Sequence, residues 1–88
     1  MLNDNKFLLS IFSVFDRKNK MFQPPFSEFS EVDAARRFDG MLNSPTSLIS
    51  RYKDDFTLVL LGTLDLATGE ITPEYHVICD CNDVSNII

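Results

Sequence analysis

Two stretches of this chain are apolar on both of their alternating sets of residues, and this constrains the fold more than any motif does. Over residues 7–15, Phe7, Leu9, Ile11 and Phe15 form one set and Leu8, Phe12 and Val14 the other. Over residues 56–64, Phe56, Leu58, Leu60 and Leu64 alternate with Val59 and Leu61. A strand with one wet face shows clean apolar–polar alternation, so both strands are expected to be covered on both sides. At roughly 25 cal/mol per Å² of apolar area, leaving several such side chains in water would cost an amount comparable to the whole stability of a small domain.

The rest of the chain supplies one helix and the returns of two hairpins. Residues 6–15 read as a first strand without Pro or Gly. Asp16-Arg17-Lys18-Asn19 turns it, the Asp carboxylate being placed to accept backbone N–H bonds and Asn19 being suited to the left-handed region. Residues 20–22 return briefly until Pro24-Pro25, which marks an edge strand because proline lacks the ladder donor. Ser30 is a helix cap, with Glu31 and Asp33 placing negative charge on the first turn. Ala34, Ala35, Phe38, Met41 and Leu42 then fall on one helical face, and the helix stops near Asn43-Ser44-Pro45. Residues 46–55 leave room for one short helical turn around Leu48 and Ile49. Residues 56–64 give the strongest strand signal, followed by a turn in which Gly69 supplies positive φ and by a return over residues 70–72. After Pro73, the alternation of Tyr75, Val77, Cys79 and Cys81 leaves room for a fifth, edge-like strand.

The expected fold is therefore α+β: a β-β-α-β-β antiparallel sheet of four or five strands, in a single domain over residues 1–88 with a less regular tail from about residue 74. One helix covers one face. The other must meet the tail, the 46–55 segment or another copy of the chain. A homo-oligomer is the favoured reading, because closed symmetric assembly is the commonest way to bury such a face. Leu8, Phe12, Val14, Val59 and Leu61 are the expected interface residues.

At 88 residues the chain is long enough for one core and no second. Its apolar run at residues 7–15 is too short to cross a bilayer, and Asp16-Arg17-Lys18 follows where a signal peptide would need small residues. The net charge is −5, which argues against a surface that grips phosphate everywhere. The charge is polarised: all eight Lys and Arg lie within residues 1–53, whereas residues 54–88 hold seven carboxylates and no Lys or Arg. Cys79 and Cys81 are too close in sequence for a disulfide between them to stabilise a fold, which fits a reducing compartment.

Catalytic signals are poor, and the chain is expected to be non-catalytic with no cofactor. His76 is the only histidine, the three glycines are isolated, and Asp54-Asp55 reads as a solvated loop or cap rather than an acid–base pair. His76, Cys79 and Cys81 with Asp80 or Asp83 resemble half a zinc site, but C-x-C lacks the usual knuckle spacing, and two small partly buried thiols are the simpler reading, so no metal is expected. Nucleic acid is one partner the residues allow, although Arg36-Arg37 beside Asp33 and Asp39 is more simply a solvated helix face with local ion pairs. Arg36 and Arg37 project from the outer helix face, and Arg17, Lys18, Lys20, Arg51 and Lys53 can join them if the first turn and the second loop share a side. Phe22, Phe26, Phe29 and Tyr52, interleaved with these cations, are suited to stacking on unpaired bases. The competing reading is an adaptor that engages another protein through the acidic half or an exposed sheet edge.

A run of short motifs narrows this. Phe12-Ser13-Val14-Phe15-Asp16-Arg17-Lys18, Pro24-Pro25-Phe26, Asp33-Ala34-Ala35-Arg36-Arg37-Phe38, Leu42-Asn43-Ser44-Pro45, Asp54-Asp55-Phe56-Thr57-Leu58, and Gly62-Thr63-Leu64-Asp65 through Thr68-Gly69-Glu70-Ile71-Thr72-Pro73 follow one another in that order. Together, over residues 7–73, they resemble the small non-structural protein of gokushovirus-type microviruses, phages with single-stranded circular DNA. The resemblance implies a non-virion protein of the host bacterial cytoplasm, labelled DNA-binding and acting where duplex replication gives way to single-strand synthesis and packaging. It offers no agreed catalytic residues to carry over, and under it the adaptor reading has a host or viral protein as partner.

Overall fold

The computed structural model describes residues 7–88, so the expected strand start at Lys6 lies outside the described residues. Strand β1 (Leu8–Asp16) is followed by β2 (Met21–Phe22), β3 (Phe26–Glu28), helix α1 (Glu31–Asn43), the short helix α2 (Leu48–Arg51), β4 (Phe56–Asp65) and β5 (Ile71–Asp80). Single 3-10 turns occupy Lys53–Asp55 and Val84–Asn86. The fold is α+β: all strand pairs are antiparallel, in the order β2-β1-β4-β5, with β3 also paired to β1.

The fifth strand differs from expectation. β5 runs unbroken through Pro73 and pairs with β4 from Leu64↔Ile71 to Thr57↔Asp80, so the return and the tail strand are one element. The additional strand is instead β3, which continues the β2 edge beyond Pro24-Pro25, with Gln23 N–H donating to the Val14 carbonyl at 2.8 Å between them. Pro24-Pro25 thus interrupts one outer edge between β2 and β3, and Pro73 lies within the other outer strand, places where a missing ladder donor is tolerated. β5 also carries irregular register, between Leu58 and Val59 and again between Leu60 and Gly62 of its neighbour.

α1 begins where Ser30 Oγ accepts the Asp33 N–H at 3.1 Å. It buries Ala34, Ala35, Phe38 and Leu42 against Phe12, Val14, Phe56, Leu58 and Leu60. Residues directly opposite in an antiparallel pair share a face. Pairings Phe12↔Leu60, Val14↔Leu58 and Phe12↔Phe26 therefore define the helix side, while Ser13↔Val59 and Phe15↔Thr57 define the open side. Val84 and Ile87 of the tail close the core on the helix side, and α2 also packs on α1. The tail and α2 are thus engaged on the helix side, with Asp83 reaching the margin of the open side.

This register corrects the expected interface. Phe12 and Val14, at 0% and 1% exposure, lie beneath α1 in the chain's own core, and Leu8 belongs to their alternating set; Val59 faces the other way. Leu61 is the extra residue of a bulge opposite Ile11/Phe12, which moves Leu64 to the open side beside Leu9. The five expected interface residues thus mix two faces. The open side is also less bare than its composition suggests: its centre is Ser13, Thr57 and Val59, each small and buried by its neighbours, and exposure is concentrated on Phe22, Ile71, Tyr75 and Val77.

Candidate nucleic-acid interface

The two hairpins solve the same turn in the same way. Asp16, 6% exposed, accepts the Lys18 and Asn19 N–H groups on Oδ1 at 3.0 and 3.2 Å and the Asn19 side-chain amide on Oδ2 at 3.0 Å, while Lys20 N–H donates to the Asp16 carbonyl at 2.7 Å. In the second turn Asp65 Oδ1 accepts the Ala67 N–H at 2.8 Å and Gly69 N–H donates to the Asp65 carbonyl at 2.7 Å. The left-handed residue is Gly69 at φ 82° in one and Lys20 at φ 60° in the other. Asn19, expected to take that conformation, instead uses its side chain on Asp16. An L-residue in the left-handed region costs roughly 1–2 kcal/mol, and Lys20 bears that cost where the second hairpin uses glycine.

The segment before β4 is tied to this turn. Arg17 N–H donates to the Asp55 carbonyl at 2.8 Å and the Arg17 guanidinium donates to the Asp54 carbonyl. α2 is capped by Ser47 Oγ, which accepts the Ile49 N–H at 3.0 Å, and its Leu48 and the following Tyr52 face Lys18 across one cleft. Five of the seven expected cations, Arg17, Lys18, Lys20, Arg51 and Lys53, thereby come to one end of the sheet, and all five are exposed. Between turn and helix lies a cleft of about 440 Å³ lined by Lys18, Asn19, Leu48, Tyr52 and Phe56 together with Asp16 and Asp55. Tyr52 is half exposed there.

Arg36 and Arg37 are not brought to this end. Arg37 pairs with Glu28 at 2.8 Å and lies 4.6 Å from the Phe26 ring centre. Glu28 is opposite Ser10, six residues along β1 from Asp16, or about 20 Å at strand spacing. Of the aromatics expected to stack on bases, Phe26 is taken up by Phe12, with ring centres 6.0 Å apart, and by Arg37. Phe22 leans on Phe15 at 4.7 Å, and Phe29 stays exposed. Tyr75 and Phe15 escape a reading of the sequence as site residues, because their proximity depends on the β1-β4-β5 register.

The thiols are placed as inert side chains. Burial, then Asp83, Asp80 and Glu31, push the Cys79 thiol up to about 12. Cys81 is raised as well, by desolvation first and then by the Asp54 carboxylate, to which its S–H donates at 3.3 Å. Both are protonated at neutral pH, the form that ligates metals poorly. Among the described residues no three His, Cys, Asp or Glu side chains gather closely enough to hold a metal ion, and no helix is long and apolar enough to cross a membrane.

A family model described as Phage ORF5 protein matches residues 9–84. No curated protein and no solved structure matches the chain.

Proposed function

The chain belongs to the Phage ORF5 protein family, and from that premise we propose a non-catalytic, non-structural accessory protein that binds single-stranded DNA during replication or packaging of a microvirus-type genome in the host bacterial cytoplasm. The observation that carries this reading is a cleft that presents Lys18 and Tyr52, with Lys20 on the same turn and with Arg51 and Lys53 flanking Tyr52 around an adjoining depression. Cations that track a backbone beside an aromatic that accepts a base are the usual equipment of single-strand binding. Lys20 adds a second argument, since a cation held in a backbone state that glycine would occupy at less cost suggests selection for its charge.

A gel-shift titration against single-stranded DNA at several salt concentrations tests the reading. Affinity is expected to fall with salt, and replacing Lys18, Lys20, Arg51 and Lys53 by Ala should flatten the log–log slope by about 0.7 for each phosphate that is no longer neutralised. Lys20→Gly should move two quantities in opposite directions: stability to urea rises by about 1 kcal/mol while DNA affinity falls. Absence of binding even at low salt would favour the adaptor reading, in which the acidic half engages a protein.

A further inference from the structure

The open side of the sheet carries a second groove, of about 510 Å³, at the same end as the basic turn. Phe15, Val59, Tyr75 and Val77 give it apolar walls, Thr57 its floor and Arg17 its rim on the β1 side. Tyr75 and Val77 are 60% and 62% exposed, so the β5 wall stands in water while Val59 is buried. The Thr57 hydroxyl is buried and has no hydrogen-bond partner among the described residues. Buried polar atoms are nearly always paired, so this one marks a place where a polar edge belongs. Asp80 and Asp83 border the groove on the β5 side. Each already caps the turn after β5, Asp80 Oδ1 accepting the Asn82 N–H at 2.9 Å and Asp83 Oδ1 the Asp80 N–H at 2.8 Å, which fixes their carboxylates in place.

The geometry points to this groove as a subsite for one unstacked nucleobase of the bound strand, stacked on Tyr75 with its phosphate toward Arg17. It deepens the single-strand reading and rests on it. Three features select this occupant. An aromatic wall with an apolar partner accepts the π-face of any base, and an antiparallel sheet with its helix on one face and aromatics on the other is a general platform for unpaired bases. Arg17, Lys18 and Lys20 belong to one turn, and Arg17 lines the groove, so cations lead a phosphate backbone from the turn to it. A carboxylate beside a base edge accepts an exocyclic amino group, which cytosine has and thymine lacks. Oligo-dC is therefore the preferred ligand over oligo-dT.

The test is a titration of the native chain and three variants with oligo-dC and oligo-dT across salt concentrations, with thermal melts to confirm folding and sedimentation to count chains. Tyr75→Ala should weaken oligo-dC binding about tenfold with an unchanged salt slope, the signature of lost stacking rather than lost charge. Tyr75→Phe should retain the affinity. Thr57→Val should weaken oligo-dC binding, and equal affinity of the native chain for oligo-dC and oligo-dT would overturn the carboxylate contact to the base. Native-like binding by Tyr75→Ala overturns the groove while leaving the basic cleft as the site, and failure of the native chain to bind at low salt overturns both. Native dimers that Tyr75→Ala converts to single chains, with DNA binding intact, would show that a second copy occupies this face and would also overturn the subsite.

Discussion

Phe12→Ala is expected to cost about 3–5 kcal/mol, enough to leave the chain largely unfolded at physiological temperature. The ring is 0% exposed, lies between Leu60 across one strand pair and Phe26 across the other, and is roofed by α1. Its removal opens a cavity that a close-packed helix and sheet cannot collapse to fill. Phe22→Ala is the matched control: the same atoms leave a position 43% exposed on the open side, and the loss should be well under half as large. Urea melts of both variants at several protein concentrations decide between two roles for Phe12. A small loss for Phe12→Ala that depends on chain concentration would return Phe12 to an interface between copies and reverse the sidedness described above.

Gly62→Ala is the second large effect, at about 3 kcal/mol, and it arises from close approach rather than from flexibility. A Cβ on residue 62 would sit 2.5 Å from the Thr72 carbonyl oxygen and 3.3 Å from Pro73 Cα. Both are backbone atoms of β5, so relief requires the strand to move. Such movement strains the register shift that lets Pro73 sit opposite Gly62. Gly69→Ala should cost less, about 1 kcal/mol, because only its positive φ stands against a side chain and nothing lies within 4 Å. Thermal or urea melts of the two variants side by side check this order. If the two substitutions proved equal, the tight crossing of β4 and β5 would be wrong.

Local chemistry made much of this fold legible. The cap at Ser30, the apolar face of α1, the Asp16 turn and the glycine at 69 each follow from interactions within a few residues, and the sequence locates them to within a residue or two. What it could not supply was cross-strand register. Nothing local says that Val14 lies opposite Leu58 rather than Val59, or that Leu61 is bulged, and those two facts decide which residues share a face. Pro73 misled for a related reason: proline ends a central strand, but an outer strand tolerates its missing ladder donor, and β5 passes straight through it. The cations followed the same division. Arg17, Lys18, Lys20, Arg51 and Lys53 converge because the Arg17–Asp55 bond closes the loop onto the turn, whereas adjacency in sequence said nothing of how far Arg36 and Arg37 lie from them.

The prolines at both rims have a consequence for what the protein can become at high concentration. An incoming strand needs a straight, regular row of donors and acceptors, yet one rim is interrupted at Pro24-Pro25 and the other by Pro73 and two irregularities of pairing. Neither rim can template ribbon growth from chain to chain. A small, oily sheet is thereby kept from seeding fibrils, and contacts with other molecules are left to its face and its loops.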